Sequence, residues 1–325
     1  MITMVCLPKS LLLWRMGGLG DLLVALPSIN LLRKIFSPCL MTLICRPEYG
    51  ALLMETGVVD ELVSVEASWI GPFFNPAQPP TPQFSAWLDK FDLITGWFNS
   101  KHDFILARLL AFKKKYEVKV IEAQPGIRES LTQYFFRRTG EIFRRKECLP
   151  ISKEFIFLPL TKRQQKEGLK LLGNSFFEKE KKLVIIHPGS GSRRKCWPLS
   201  NFLAFVERLS DKGVNGALIT GGAEDWLEGE LKSYNWPETW FWLKNPSLIN
   251  LAGLLSQAHF YLGNDSGVTH LAAACGTKGL ALFRHDLVTL WKPAGLVSTI
   301  SAPEVSQISQ KEVWEKIKDR LWLTN

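Results

Sequence analysis

The sequence predicts an α/β protein made of two doubly wound units, and three observations support this prediction. A buried strand at residues 10–14 runs into the glycine-rich turn of residues 15–21 and then into an apolar helix at residues 22–35, which is how such a domain opens. A second apolar strand, at residues 182–186, opens another unit of the same kind. In this second half, three strands end in polar turns that contain glycine.

The composition indicates a soluble globular protein with an anionic partner. At 325 residues the chain is long enough for two domains, and a hydrophobic content of 46% with 22% charged residues is typical of a substantial core. The formal net charge of +9 predicts binding to nucleic acid, an acidic membrane face or phosphorylated substrates. We expect no nucleic-acid partner, because no RNP, zinc-finger or helix-turn-helix signature accompanies the charge.

The six cysteines are scattered, with no C-x-x-C pair and no histidine at metal-ligand spacing. This pattern argues against a zinc site or a disulfide framework and favours a reducing compartment. No run of 18 apolar residues occurs, so we expect no transmembrane helix. The predicted location is the cytoplasm, with peripheral contact at the inner face of the cytoplasmic membrane as an alternative.

The turn of residues 15–21 matches neither common nucleotide-binding pattern. Leu23 stands where the dinucleotide fingerprint needs its third glycine, and no Gly-Lys-Ser/Thr follows for a P-loop. Gly18 and Gly20 nevertheless allow a ligand to approach the backbone closely. Asp21 places a carboxylate at the carboxyl edge of the first strand, where ligands of open α/β sheets bind. The alternative is that Asp21 caps the following helix.

The turn of residues 187–198 predicts an anion site. Ser190, Gly191 and Ser192 offer N–H groups and hydroxyls to phosphate oxygens, and Lys195 adds a positive charge. The next strand, at residues 216–220, ends at two glycines, of which Gly222 is the second. Glu224 then supplies a carboxylate that a ribose diol can meet.

The third such turn, in residues 263–270, lies between an apolar strand and a buried helix. A helix N-terminus favours phosphate groups because its N–H groups are unpaired and its dipole end is positive. The candidate ligand-contacting residues here are Asp265, Ser266, Gly267, Thr269 and His270. A capped helix with His270 bonded to a backbone carbonyl is the alternative. Three such turns on one sheet edge predict a pocket for a nucleotide diphosphate.

Two further stretches of the first half carry predictions. Residues 67–84 are rich in proline and aromatic residues without a helical period, so we expect a loop that projects from the domain. The basic pairs Arg137-Arg138 and Arg144-Arg145 are interleaved with phenylalanine and isoleucine, as expected of a surface that meets phosphates or acidic lipid headgroups. A simple solvated surface is the alternative.

The tail, at residues 310–323, predicts an amphipathic helix that packs back on the body.

Taken together, these patterns resemble glycosyltransferase family 9, the ADP-heptose:lipopolysaccharide heptosyltransferases. The resemblance is carried by residues 15–21 with Pro27, residues 187–192 with Lys195-x-Trp197-Pro198, Gly221-Gly222-x-Glu224, and residues 263–273. It implies a GT-B fold, with two Rossmann-like domains facing across a cleft. The implied domains are an acceptor domain at 1–155, a crossing at 156–180, a nucleotide-sugar domain at 181–305 and a C-terminal helix at 306–325.

The resemblance also implies roles for individual residues. Asp21 would be the general base that deprotonates the acceptor hydroxyl, Glu224 would meet the ribose, and Asp265 would meet sugar or ribose hydroxyls. The implied donor-site residues are Ser190, Gly191, Ser192, Lys195, Gly222, Glu224, Asp265, Ser266, Gly267, Thr269 and His270. The acceptor-site candidates are Gly18, Gly20, Arg137, Arg138, Arg144 and Arg145.

The reaction implied is a single displacement that inverts the anomeric configuration. Lys195 and a helix N-terminus can neutralise the leaving diphosphate, and the sequence contains no Asp-x-Asp, so neither a metal nor a cofactor is expected. The expected partners are a nucleotide sugar, with ADP-heptose favoured, and an anionic glycan or lipid-linked acceptor such as the lipopolysaccharide core.

One departure from the family pattern leaves alternatives open. Arg284-His285-Asp286 stands where the family usually has Gly-Pro-Thr, which leaves the identity of the donor sugar undecided. The acceptor is open as well, since a soluble glycan or a protein is also compatible with the residues. The alternatives to a transferase are a nucleotide-sugar epimerase on the same fold and a catalytically degenerate protein that binds a nucleotide sugar or a glycan.

Overall fold

The computed structural model describes residues 8–98, 103–111, 117–123, 126, 128–143, 151–152, 157–173 and 182–322. The chain divides into two compact units, Met1–Pro159 and Leu160–Asn325. Each unit contains one parallel sheet whose strands alternate along the chain with helices. The predicted α/β class with two doubly wound units is therefore confirmed.

The first unit holds a five-stranded parallel sheet in the order β3-β2-β1-β4-β5. Its strands are β1 (Ser10–Trp14), β2 (Leu40–Cys45), β3 (Glu61–Ser64), β4 (Leu93–Phe98) and β5 (Glu117–Glu122). Its helices are α1 (Leu19–Phe36), α2 (Pro47–Glu55), α3 (Pro82–Leu88), α4 (Asp103–Ala111) and α5 (Leu131–Ile142). The central strand β1 is apolar and buried, as expected of a parallel strand covered on both faces.

Residues 67–84 do not form the projecting loop that their composition predicts. They contain a 3-10 helix, Gly71–Phe74, and the start of α3, and the side chains of Ile70, Phe73 and Phe84 are fully buried. The ring centroid of Phe73 lies 5.1 Å from that of Trp14 in β1. The lack of a helical period predicts a loop, but the apolar side chains of the segment cover one face of the sheet. The prediction of a projecting loop was therefore wrong.

The second unit holds a six-stranded parallel sheet in the order β11-β10-β9-β6-β7-β8. Its strands are β6 (Leu183–His187), β7 (Asn215–Thr220), β8 (Trp240–Lys244), β9 (Phe260–Asn264), β10 (Gly279–Arg284) and β11 (Val297–Ala302). Its helices are α6 (Lys162–Leu169), α7 (Leu199–Ser210), α8 (Glu228–Ser233), α9 (Leu248–Gln257), α10 (Gly267–Ala274), α11 (His285–Trp291) and α12 (Gln310–Trp322). Strands β8 and β11 are not among the predicted strands.

Two helices at the ends of the second unit pack on its body. In α12, the buried side chains of Val313, Trp314 and Ile317 join the core that α7 covers. In α6, Gly168 approaches the backbone of α9 so closely that a Cβ atom there would lie 2.1 Å from the nitrogen of Leu254. Glycine is therefore required where these two helices meet.

No helix within the described residues is long and apolar enough to cross a membrane.

Candidate functional site

The strand order of the second unit places three polar turns side by side. Strands β9, β6 and β7 are consecutive neighbours in the sheet and run parallel. The turns that follow them are called here the β6 turn (residues 188–198), the β7 turn (residues 221–225) and the β9 turn (residues 264–269). Because parallel strands end at one edge, the three turns lie next to one another at the carboxyl edge, where α/β sheets bind ligands.

Asn264 joins the β9 turn to the β6 turn. Its side chain is fully buried. The Nδ2 group donates to the carbonyl of Pro188 at 2.7 Å, and Oδ1 accepts from the backbone N–H of Trp197 at 3.0 Å. One amide thus holds both ends of the β6 turn. Asn264 is not among the predicted site residues, although a buried amide at the end of an apolar strand is a usable signal.

His187, the last residue of β6, lies between the other two turns. Its Nδ1 is 3.3 Å from Oγ of Ser266, and its Nε2 is 3.7 Å from Oε2 of Glu224. The second distance is longer than that of a hydrogen bond. The ring is only 3% exposed, so His187 serves as an internal connection among the three turns. It too is absent from the predicted site residues.

Glu224 is a buried carboxylate that shapes the β7 turn. Its Oε2 accepts from the backbone N–H of Gly221 at 2.7 Å, which caps the 3-10 helix Gly222–Leu227. Burial raises the pKa of Glu224, but the facing His187 and the Gly221 amide outweigh that effect and hold the pKa below its usual value. Glu224 is 5% exposed, so only a small part of it faces solvent.

Lys195 of the β6 turn pairs with Asp265 of the β9 turn. The ammonium lies 2.9 Å from Oδ2 of Asp265. The carboxylate is 7% exposed and the lysine side chain is 32% exposed, so the accessible side of the pair is positive. Ser190 supports the same contact, because its hydroxyl donates to the backbone oxygen of Asp265 at 2.5 Å.

Ser266 and Thr269 hold the start of α10. Ser266 is the N-cap, and its Oγ accepts from the backbone N–H of Thr269 at 3.3 Å. The Thr269 hydroxyl is fully buried; it donates to the carbonyl of Asn264 and lies 2.9 Å from the Tyr261 hydroxyl. The Thr269 side chain therefore stabilises the turn, and its predicted support of the phosphates stays a prediction. His270 is also buried, with its ring edge-on to Trp291.

The glycines of these turns are of two kinds. A Cβ atom on Gly189 would lie 2.1 Å from Oε1 of Glu224, so packing within the protein requires that glycine. A Cβ atom on Gly191 would meet nothing within 4 Å, and on Gly222 the nearest atom, Oδ1 of Asn245, would be 4.0 Å away. Neither open glycine has a positive φ. The absence of a side chain at these two positions leaves room for close approach to the backbone.

In the first unit, Asp21 is held at the carboxyl end of β1. Its Oδ2 accepts from the backbone N–H of Gly18 at 3.0 Å, and its Oδ1 accepts from Arg15 at 3.1 Å. Gly17 has a φ of +113°, and a Cβ atom there would lie 2.6 Å from the Asp21 carboxyl. Asp21 thus sits at the third position of α1 in a capping box, and its side chain remains 25% exposed. Gly20 lies within the first turn of α1.

Arg15 is the partner that fixes Asp21. Its guanidinium is 2% exposed and also donates to the carbonyl of Trp97 at 2.9 Å. Burial lowers the pKa of Arg15 to about 10, and the nearby Asp21 carboxylate opposes that shift. The guanidinium therefore stays charged at neutral pH. Arg15 is not among the predicted site residues.

Arg137 and Arg138 of the predicted basic surface are paired with carboxylates. Arg137 donates to both Glu129 and Glu141, and Arg138 donates to Glu141. These hydrogen bonds raise the pKa of Arg137 above its usual value. Both arginines line a cavity of about 480 Å³ beside β5, but their charges are already balanced. The structure thus favours the solvated-surface alternative for this pair, while Arg144 and Arg145 lie outside the described residues.

In residues 284–286, the stretch that departs from the family pattern, the charged side chains pair with each other. Arg284 donates to both carboxylate oxygens of Asp286, at 3.1 and 3.2 Å. His285 Nδ1 lies 2.9 Å from the Ser301 hydroxyl.

Among the described residues, no cluster of three or more histidine, cysteine, aspartate or glutamate side chains could hold a metal ion.

Residues 128–316 of the chain match the family model described as glycosyltransferase family 9 (heptosyltransferase), which is more than half of the chain. Lipopolysaccharide heptosyltransferase 3 of Escherichia coli is 22% identical over 299 residues, covering 84% of this chain and 83% of that protein.

Solved structures share the fold over nearly the whole chain. The ADP-heptose lipopolysaccharide heptosyltransferase II of Escherichia coli has a TM-score of 0.74 at 17% identity, covering 97% of this chain and 99% of the other. A family 9 glycosyl transferase of Veillonella parvula has a TM-score of 0.78 at 13% identity, covering 97% and 98%. These likenesses confirm the predicted GT-B class of two Rossmann-like units.

Proposed function

The chain belongs to glycosyltransferase family 9, the heptosyltransferase family, and on that premise we propose that it transfers a heptose from ADP-heptose to a hydroxyl of the lipopolysaccharide core or a related envelope glycan. The observation that carries the proposal is the juxtaposition of the β6, β7 and β9 turns at one sheet edge. The similarity to two heptosyltransferases of lipopolysaccharide synthesis supports the choice of donor and acceptor.

The second unit binds the donor through its diphosphate. The accessible side of Lys195 is cationic, and the open Gly191 lets phosphate oxygens approach backbone N–H groups. The N-terminus of α10 adds the positive end of a helix dipole next to Asp265. These groups stabilise the negative charge that develops on the departing diphosphate. Glu224, 5% exposed at the β7 turn, is the proposed contact of the ribose.

The first unit supplies the general base. Asp21 keeps an accessible carboxylate edge while Arg15 and the Gly18 amide fix its orientation. In the reaction, one carboxylate oxygen of Asp21 takes the proton from the acceptor hydroxyl. At the same time, the hydroxyl oxygen of the acceptor attacks the anomeric carbon. The bond from the anomeric carbon to the diphosphate breaks in the same displacement, so the anomeric configuration inverts.

We further propose that no metal ion takes part, because Lys195 and the α10 N-terminus can provide the neutralisation that a cation provides elsewhere. The prediction is that transfer continues at an unchanged rate in excess EDTA. Loss of turnover in EDTA that returns on adding a divalent cation would overturn this part of the proposal.

A thermal-shift panel of nucleotide sugars tests the proposed donor. A ligand that binds the native state raises the melting temperature according to its excess over Kd. ADP-heptose and ADP should raise it most, whereas UDP-N-acetylglucosamine and GDP-mannose should have little effect. A shift with a uridine or guanosine sugar alone would contradict the proposed donor. Incubation with a truncated lipopolysaccharide core then distinguishes transfer of heptose from binding without turnover.

A further inference from the structure

Trp226 stands out in the β7 region because its ring is exposed beside the candidate donor site. It is 41% exposed and lies two residues after Glu224 in the 3-10 helix Gly222–Leu227. No other phenylalanine, tyrosine or tryptophan whose side chain the structure describes is exposed to this degree. An exposed indole loses the stabilisation that burial would provide. A ligand that covers the ring would restore part of that stabilisation.

Arg193 of the β6 turn holds this ring. Its guanidinium carbon lies 4.6 Å from the centroid of the Trp226 ring, well within the range of a cation–π contact. The contact joins the β6 and β7 turns on their solvent side, outside the buried link between His187 and Glu224. The indole is therefore held in place although it is exposed.

The order of the strands indicates which part of a nucleotide would reach Trp226. Lys195 and Asp265 place the diphosphate over β6 and β9, and Glu224 places the ribose at β7. In a nucleoside diphosphate the ribose lies between the diphosphate and the base. The base therefore continues in the same direction, towards the next strand, β8. Asn245 directly follows β8, and Trp226 lies in the 3-10 helix that follows β7.

Asn245 supports this placement independently. It has a φ of +50°, which is uncommon for a residue other than glycine, and its backbone N–H donates to the carbonyl of Thr220 at 2.8 Å. Its side-chain oxygen lies 4.0 Å from where a Cβ atom of Gly222 would be. An exposed amide and an exposed indole thus flank an open glycine.

We propose that Trp226, held by Arg193, is the surface on which the nucleobase of the donor stacks. The inference rests on the proposed function, because it requires a nucleotide donor, and it adds a residue that determines donor affinity. Base–aromatic stacking depends on the flat faces of both rings, so it strengthens binding of any nucleotide over a phosphate ligand without a base.

Calorimetric titrations of the full chain with ADP and with inorganic pyrophosphate test this role. Trp226→Ala should weaken ADP binding about 5- to 150-fold, the usual effect of losing one stacked base, and leave pyrophosphate affinity unchanged. Trp226→Phe should recover most of the ADP affinity, and Arg193→Ala should give a smaller loss for ADP. Leu296→Ala removes another exposed apolar side chain of the second unit and should bind both ligands like the wild type.

Three outcomes would overturn the inference. If the wild type binds ADP and Trp226→Ala binds it equally well, the stacking role fails while the proposed function stands. If Trp226→Ala loses ADP and pyrophosphate affinity in parallel, Trp226 supports the turns rather than the base. If the wild type binds no ADP at all, the proposed donor fails and the inference fails with it.

Discussion

The Arg15 guanidinium donates to the backbone oxygen of Asp21 at 2.7 Å and to its carboxylate at 3.1 Å. A buried cation therefore holds both the backbone and the side chain of one residue at the end of β1. The carboxylate is partly exposed, whereas Arg15 is not. This arrangement orients Asp21, and its 25% exposed side chain is compatible with the proposed role as general base.

Replacing Lys195 should weaken donor binding. Lys195→Met removes the charge that faces the candidate diphosphate, and we expect ADP affinity to fall by about 1.5–3 kcal/mol, or about 10- to 150-fold, the usual worth of a charge-assisted hydrogen bond. Calorimetric titration with ADP measures the change. Lys278→Met, which removes an exposed lysine just before β10 at the opposite edge of the sheet, is the control and should bind normally. Equal affinities of the two variants would remove Lys195 from the site.

The two kinds of glycine in the β6 turn should respond differently to alanine. Gly189→Ala forces a methyl group against Glu224, so the free energy of unfolding should fall by about 1–3 kcal/mol, as for overpacking. Gly191→Ala has open space and should leave that free energy unchanged while weakening ADP binding. Urea titrations and calorimetry separate the two effects. Full ADP affinity in a stable Gly191→Ala variant would show that no ligand approaches this backbone.

Asn264 should be required for stability. Asn264→Leu leaves the buried carbonyl of Pro188 and the N–H of Trp197 without their partners, at a cost of about 1–3 kcal/mol for each group. We therefore expect the free energy of unfolding, measured in urea, to fall by about 2–6 kcal/mol. A loss below about 0.5 kcal/mol, the range typical of surface substitutions, would show that the β6 turn does not depend on this amide.

The Glu224 carboxylate should make stability depend on pH on the acid side. Its pKa is lower in the folded chain than its ordinary value, so the unfolded chain binds the proton first as pH falls. The contribution is complete above the unfolded pKa of about 4.3 and is lost as pH falls through the lower folded pKa. Glu224→Gln should therefore show a shallower loss of stability than the wild type in urea titrations between pH 6 and 3. Parallel curves would show that Glu224 has no shifted pKa.

The local features of the site could be predicted from the sequence, while the contacts between distant segments could not. The sequence shows glycine-bearing turns after apolar strands. These turns predict Lys195, Glu224 and Asp265 as candidate site residues. The role of Asn264 depends on β9 and β6 becoming neighbours, 76 residues apart in the bond to Pro188. Such pairing has no local signal.

Two further outcomes have physical causes that can be found in the sequence. Arg137 and Glu141 are four residues apart on one helix, a spacing that by itself predicts an ion pair and argues against a free basic surface. The sequence of residues 67–84 predicts a projecting loop wrongly, because proline and a short 3-10 helix hide the period of the buried aromatic side chains.

The central claim is that the second unit binds the donor while Asp21 of the first unit activates the acceptor. Asp92→Asn is the matched control, because Asp92 also accepts backbone N–H groups, from Lys9 and Ser10, but lies at the amino end of the same sheet. It should lower stability without abolishing transfer.

The most direct test measures heptose transfer and ADP affinity together in Asp21→Asn. The account predicts that the transfer rate falls by about 100- to 10,000-fold while the Kd for ADP stays within about twofold of the wild type. Transfer at the wild-type rate, or a loss of ADP affinity as large as the loss of transfer, would contradict it.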